Sequence, residues 1–185
     1  MGESEIIKLQ ESTFFYAAKE INSKKKYPLQ ISLGYLNQES EQDLRELREK
    51  NLLSWDTSLK GSPYTTGSTN PEHMIKCVVY YGNAESGHCC VGYSLGSLNS
   101  QDSCLELDFI EKRCDGFLDL KREFLPIIVI AMTFYANVLS KIQGIDVNKF
   151  ALIGPLPGVV DYYKEHGFEV IDNYRGEQMA MVRYK

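Results

Sequence analysis

The 185-residue sequence has no excess of positive charge: 20 lysines and arginines stand against 25 aspartates and glutamates, for a net charge of −5. That balance gives no general grip on phosphate backbones, so no nucleic-acid partner is expected. Long apolar runs are missing too. The longest, residues 124–139, is broken by Pro126, Thr133 and Asn137 and reads as too short to cross a bilayer. The opening residues Met1-Gly2-Glu3-Ser4-Glu5 lack the positive region of a secretory signal and the Ser or Thr at position six that myristoylation needs. A soluble, cytoplasmic chain without a membrane partner is the expectation. The five cysteines, Cys77, Cys89, Cys90, Cys104 and Cys114, contain no Cys-x-x-Cys spacing, so neither a zinc knuckle nor a redox pair is written here. His88 beside Cys89 and Cys90 does not repair this, because adjacent strand residues point to opposite faces. No metal is expected, and the thiols are read as reduced and mostly buried.

What is present is an ordinary globular mixture, 43% hydrophobic and 24% charged, which excludes a disordered chain. The length suits one domain, residues 1–185, that buries about two-thirds of its unfolded surface. Residues 1–55 read as an N-terminal strand and helices. Glu5 to Leu9 alternates like a short strand, and Ser12 or Thr13 caps a helix over Phe14 to Ile21. Lys24-Lys25-Lys26 then complements that helix end. An extended piece follows from Tyr27 to Leu36, and Glu39 to Leu53 carries Leu44, Leu47 and Leu52 at helical spacing. Residues 56–73 form a loop, rich in Gly, Ser, Thr and Pro from 56 to 70.

Residues 74–185 form the core. Met74 to Tyr81, His88 to Leu95 and Ser103 to Lys112 read as three antiparallel strands. Leu120 to Ile142 has a broad apolar face and must lie flat on a sheet. Phe150 to Ile153 is a short buried strand, and Pro157 opens a helix that Gly167 stops. A hairpin of Phe168 to Asn173 and Gln178 to Tyr184 ends the chain. Pro126 dates the start of the long helix. Deep inside a helix it would cost about 3 kcal/mol, whereas in the first turn its missing N–H is harmless.

This element order resembles the GNAT acyltransferase superfamily over nearly the whole chain. The segment Tyr162-Tyr163-Lys164-Glu165-His166-Gly167-Phe168 is similar to that family's Tyr-x-x-x-Gly-Phe signature, and Val91-Gly92-Tyr93 resembles the usual start of its third strand. The resemblance implies an α/β (α+β) fold with a mixed, mostly antiparallel central sheet flanked by helices. It implies acetyl-CoA as co-substrate, a small-molecule or protein amine as acceptor, and direct attack on the thioester. Dimers are frequent in that family, so a homodimer is a possible assembly. Carried over residue by residue, Glu106 (or Asp108, on the same face by the period of two) is the base, and Tyr163 the acid. Phe109, Ile110 and Glu111 would line the pantetheine with main-chain groups.

One stretch departs from the family. In place of the glycine-rich loop whose amides cradle a pyrophosphate stands 112–123, with the single glycine Gly116. Lys121 and Arg122 are the candidate phosphate contacts there, against the anions Asp115, Asp119 and Glu123. The alternative is a catalytically silent member of this fold that binds a protein or metabolite. The acidic balance, with Glu39, Glu41 and Glu106 placed at one rim, favours a cationic amine. His166 reads as dipole complement, and His73 as a histidine near the site mouth.

Overall fold

The computed structural model describes residues 2–57, 70–83, 85, 87–176 and 178–185. Most of the predicted loop, residues 58–69, lies outside the described residues. Helix α1 spans Glu3–Lys24, strand β1 Ile31–Tyr35 and helix α2 Gln38–Glu49. Strands β2 (Met74–Asn83), β3 (Gly87–Asn99) and β4 (Cys104–Lys112) follow, then helix α3 (Phe124–Gln143) and β5 (Lys149–Ile153). Helix α4 (Val160–Glu165) and the hairpin β6 (Glu169–Tyr174) and β7 (Gln178–Tyr184) complete the chain. The seven strands are ordered β1-β2-β3-β4-β5-β7-β6. Every neighbouring pair is antiparallel except β4 and β5, which run parallel.

The first strand of the sequence reading is corrected. Residues 5–9 belong to α1, whose buried positions Ile6, Gln10, Thr13, Phe14, Ala17 and Ile21 hold a helical period throughout. Gln10 disguises the pattern because it is polar and fully buried. Its amide donates to the Met74 carbonyl (2.7 Å) and accepts from the Lys76 N–H (3.1 Å), so it is satisfied against β2. Helix α2 begins on an Asn37 cap, whose side chain accepts from the Ser40 N–H. It stops four residues short of the expected Leu53, because Asn51 takes a left-handed conformation (φ 56°). Val91-Gly92-Tyr93 falls within β3, four residues past its start.

Helices α1 and α3 cover one face of the sheet in the largest apolar cluster, which includes Phe14, Ile75, Leu105, Ile128, Tyr135 and Leu152. On the other face α2 packs Leu44 and Leu47 against Tyr93 and Leu95. At 20 residues α3 is longer than the 124–139 stretch, and by length and composition it is apolar enough to cross a membrane. Here its residues Phe124, Ile127, Ile128, Ala131, Tyr135 and Leu139 are buried against the sheet. Pro126 is its third residue, where no intrahelical N–H bond is lost.

Candidate functional site

The parallel ladder between β4 and β5 is only four residues long, from Cys104↔Lys149 to Leu107↔Leu152. Two local causes end it. On β4, Leu95–Gly96 of β3 face Phe109 and Leu107, so Asp108 is an inserted residue that bends the strand. On β5, Gly154 turns away with φ 56°, and its N–H donates to the Met179 carbonyl on the β7 side. The two strands therefore splay. Beyond Leu107, β4 is paired with β3 and, among the described residues, no longer with β5.

A narrow cavity of about 80 Å³ occupies the splay, with Trp55, Asp108, Ile110, Ile153, Leu156 and Tyr163 in its walls. Tyr163 is placed there by the short α4 and by the turn after it. Gly167 (φ 80°) ends the helix, and Phe168 drops into the main core at 2% exposure. The rings of Tyr163 and Phe168 lie 6.3 Å apart. That packing is the physical content of the Tyr-x-x-x-Gly-Phe spacing. Burial raises the Tyr163 phenol above its ordinary value, so it holds its proton at neutral pH.

Trp55 arrives at the same cavity from the other side. Its ring meets Phe109 edge-on at 5.2 Å. Glu111 fixes the approach: its carboxylate accepts from the Ser54 N–H (2.5 Å), the Trp55 N–H (3.3 Å) and the Tyr93 hydroxyl (3.1 Å). The sequence reading assigns Glu111 main-chain groups only, and the structure adds a use for its side chain. It is the clamp that holds Trp55 over the cleft, a contact across 56 residues with no local sequence signal.

The structure does not bring Glu106 into this cavity. Glu106 is fully buried, and its Oε1 accepts from Asn99 (2.9 Å) and the Tyr174 hydroxyl (2.8 Å) and faces the Arg175 guanidinium at 3.2 Å. Its Oε2 has no hydrogen-bond partner among the described residues. Desolvation raises its carboxyl above the ordinary range, with Tyr174 and Arg175 offsetting part of the effect. The period of two that would set Glu106 and Asp108 on one face fails at the bulge, and Asp108 reaches the cleft instead. Nor does Glu106 share a rim with Glu39 and Glu41, which lie on α2.

The other predicted residues are dispersed. His73 is a core histidine, not a site residue: its Nε2 lies 2.7 Å from the Tyr135 hydroxyl, and burial lowers its pKa to about 4. His166 Nδ1 lies 2.8 Å from the Tyr162 carbonyl at the end of α4. Among the described residues no three His, Cys, Asp or Glu side chains are grouped to hold a metal ion.

The start of α3, where a phosphate would be expected, is already furnished by the chain. The Tyr162 hydroxyl donates to the Arg122 carbonyl (2.7 Å). Arg122 pairs with Glu165, and its guanidinium lies 5.6 Å from the Tyr162 ring centre. Glu123 is the N-terminal cap residue, and its carboxylate is bound by Lys25 and by the Tyr27 hydroxyl (2.8 Å). Burial opposes ionisation of Glu123, but Lys25 and Tyr27 outweigh it and hold the carboxyl below its ordinary range. Lys121 is exposed and makes no ion pair among the described residues.

No family model and no curated protein matches the chain. Solved structures do. The PaiA N-acetyltransferase from Thermoplasma acidophilum, crystallised in complex with coenzyme A, is 16% identical and superposes with a TM-score of 0.53 over 84% of this chain and 99% of that one. A putative N-acetyltransferase from Lactobacillus plantarum is 10% identical, with a TM-score of 0.53 over 85% and 99% of the two chains. Strand order, splayed parallel pair and overall superposition agree: the chain has the GNAT fold of N-acetyltransferases.

Proposed function

We propose that the protein transfers an acyl group, acetyl in the simplest case, from a coenzyme A thioester to a primary amine by direct attack. The observation that carries this reading is the splay of β4 from β5, with Tyr163 and Asp108 in the walls of the cavity it opens. When bound, the donor supplies an electrophilic thioester carbonyl, and the remaining tasks fall to the chain. The backbone of β4 at Phe109, Ile110 and Glu111, beyond the end of the ladder to β5, runs beside the pantetheine arm and orients it. The Tyr163 hydroxyl holds the proton that the departing sulfur requires. Asp108 takes a proton from the attacking ammonium, a role that falls to it because Glu106 is sealed elsewhere. Trp55 and Leu156 narrow the cavity and keep water from the reacting carbon.

A cationic amine, free or on a protein, is the acceptor class that the net charge of −5 favours. A second reading is a catalytically silent GNAT-fold binding module, which the Tyr162-filled start of α3 favours. Thermal unfolding with acetyl-CoA, coupled to an acyl-transfer assay over an amine panel, separates the two. The enzyme reading expects stabilisation of about 2.7 kcal/mol at a hundred times the dissociation constant, together with turnover. No stabilisation and no turnover at millimolar donor would leave the binding module.

A further inference from the structure

Helix α3 carries two apolar stripes, and the sheet covers only one of them. Phe124, Ile127, Ile128, Ala131, Tyr135 and Leu139 turn inward and are buried. Pro126, Val129, Ile130, Thr133 and Phe134 recur at i, i+3, i+4, i+7 and i+8, so they share a second face of the same helix. Lys141 is the only charged residue in its 20 positions. The second face lines a groove of about 390 Å³, whose walls also include Ile21, Lys24 and Lys25 of α1, His166 after α4, and Arg183 of β7. A volume of that size falls within the range of small-molecule sites. Pro126, Ile130 and Phe134 are half-buried there, so their apolar surface still meets water.

The walls decide what kind of occupant fits. Their one hydroxyl, on Thr133, donates to the Val129 carbonyl of its own helix (2.8 Å) and has no proton left for a ligand. The apolar stretch therefore suits a chain without polar groups, whereas a peptide would bring backbone donors and acceptors that find no partners on it. The rim has cations in excess: Lys24, Lys25 and Arg183 stand against Glu20, in a protein of net charge −5. Lys24 is bound to Glu20 (2.6 Å) and Lys25 to Glu123. Arg183 forms no ion pair among the described residues. Its Nη1 donates to the His166 carbonyl (3.2 Å), which holds the guanidinium at the groove and leaves its fork further N–H donors for an anion. A second copy docked by two-fold symmetry would set these cations against their own images. We propose that the groove binds a free single-chain carboxylate of the fatty-acid class, its hydrocarbon along Pro126, Ile130 and Phe134 and its head group on Arg183. The groove shares no wall residue with the β4–β5 cavity, and the proposal does not depend on the acyl-transfer reading.

The test is titration of the whole ¹⁵N-labelled chain with decanoate below its micelle concentration. Saturable amide shifts are expected at residues 20–25, 127–134, 166 and 183. Decanoate should bind about tenfold more tightly than octanoate, because each added methylene is worth up to about fourfold. Decyltrimethylammonium, the same chain with the opposite head group, should bind at least about tenfold more weakly than decanoate. Arg183→Gln should weaken decanoate by about tenfold and leave the cation unchanged, and Arg183→Lys should recover part of the loss. Equal affinity for the two head groups would overturn the proposal without recourse to a variant, as would a folded Arg183→Gln protein that binds decanoate like wild type. Shifts gathered elsewhere, or none at millimolar decanoate, would overturn the site itself. Shifts that need anionic vesicles and do not saturate with decanoate would make this face a membrane surface and overturn it equally.

Discussion

The β4–β5 splay and the start of α3 contrast sharply in how completely their polar groups are satisfied. At the splay the parallel ladder stops at Leu107↔Leu152, and a cavity opens between the diverging strands. At the start of α3 side chains of the fold gather, with the Tyr162 hydroxyl on the Arg122 carbonyl and Glu123 between Lys25 and Tyr27. Backbone groups demand partners in both places. One region ends a strand pairing beside a cavity, and the other gathers side chains around a helix end. The difference teaches that the two features have different origins in the sequence. A cleft follows from strand geometry, while an anion site hangs on a few side chains.

The sharpest way to break this contrast is at Tyr163. Tyr163→Phe is expected to lower turnover by about 10²–10⁴-fold while changing donor affinity by less than about threefold. Parallel loss of turnover and affinity, read from kinetics and calorimetry, would make Tyr163 a binding group instead. Next come the two carboxylates separated by the bulge. Asp108→Asn is expected to cost about 10²-fold in turnover, and Glu106→Gln less than about threefold. Glu106 carries a second, opposite signature. Its folded pKa is raised, so its contribution to stability is present at low pH and is lost as pH rises through the folded value. Glu106→Gln should therefore raise the urea midpoint at pH 8 relative to pH 4. A collapse of turnover with this substitution would return the base role to Glu106.

Two smaller effects test the frame around the cleft. His73 is neutral in the folded protein, with a pKa near 4 against 6.5 in the unfolded chain. Its contribution to stability is full above pH 6.5 and is lost as pH falls toward 4, by about 3 kcal/mol at most. His73→Gln should flatten that part of the urea-unfolding profile, and an unchanged slope would contradict the assignment. Glu111→Ala leaves the Ser54 and Trp55 amides and the Tyr93 hydroxyl without their acceptor. It should cost about 2 kcal/mol, or about 4–8 °C in Tm. It should also free Trp55, seen as a red-shifted indole fluorescence; an unmoved emission maximum would show that Glu111 does not position the ring.

Much of the sheet was legible from pattern alone. The three central strands announce themselves by β-rich runs between turn residues, and α3 by its apolar face. The Tyr-x-x-x-Gly-Phe segment marks the wall of the cleft. What stayed hidden has specific causes. Gln10 and Thr13 broke the apolar period of α1, although both are buried and hydrogen-bonded in it. A single inserted residue in β4 leaves no trace in composition, yet it moved Asp108 into the cleft while Glu106 stayed sealed. Tyr162 meets Arg122 across 40 residues, and Glu111 meets Trp55 across 56. No local rule reports a contact of that kind.

The most direct measurement is an amide chemical-shift titration of ¹⁵N-labelled protein with S-acetyl-pantetheine. Saturable shifts should concentrate on residues 108–112 of β4 and 152–156 at the end of β5, with the α3 amides 124–125 still. Saturable shifts gathered anywhere else, or none at all, would show that the gap between these strands takes no thioester.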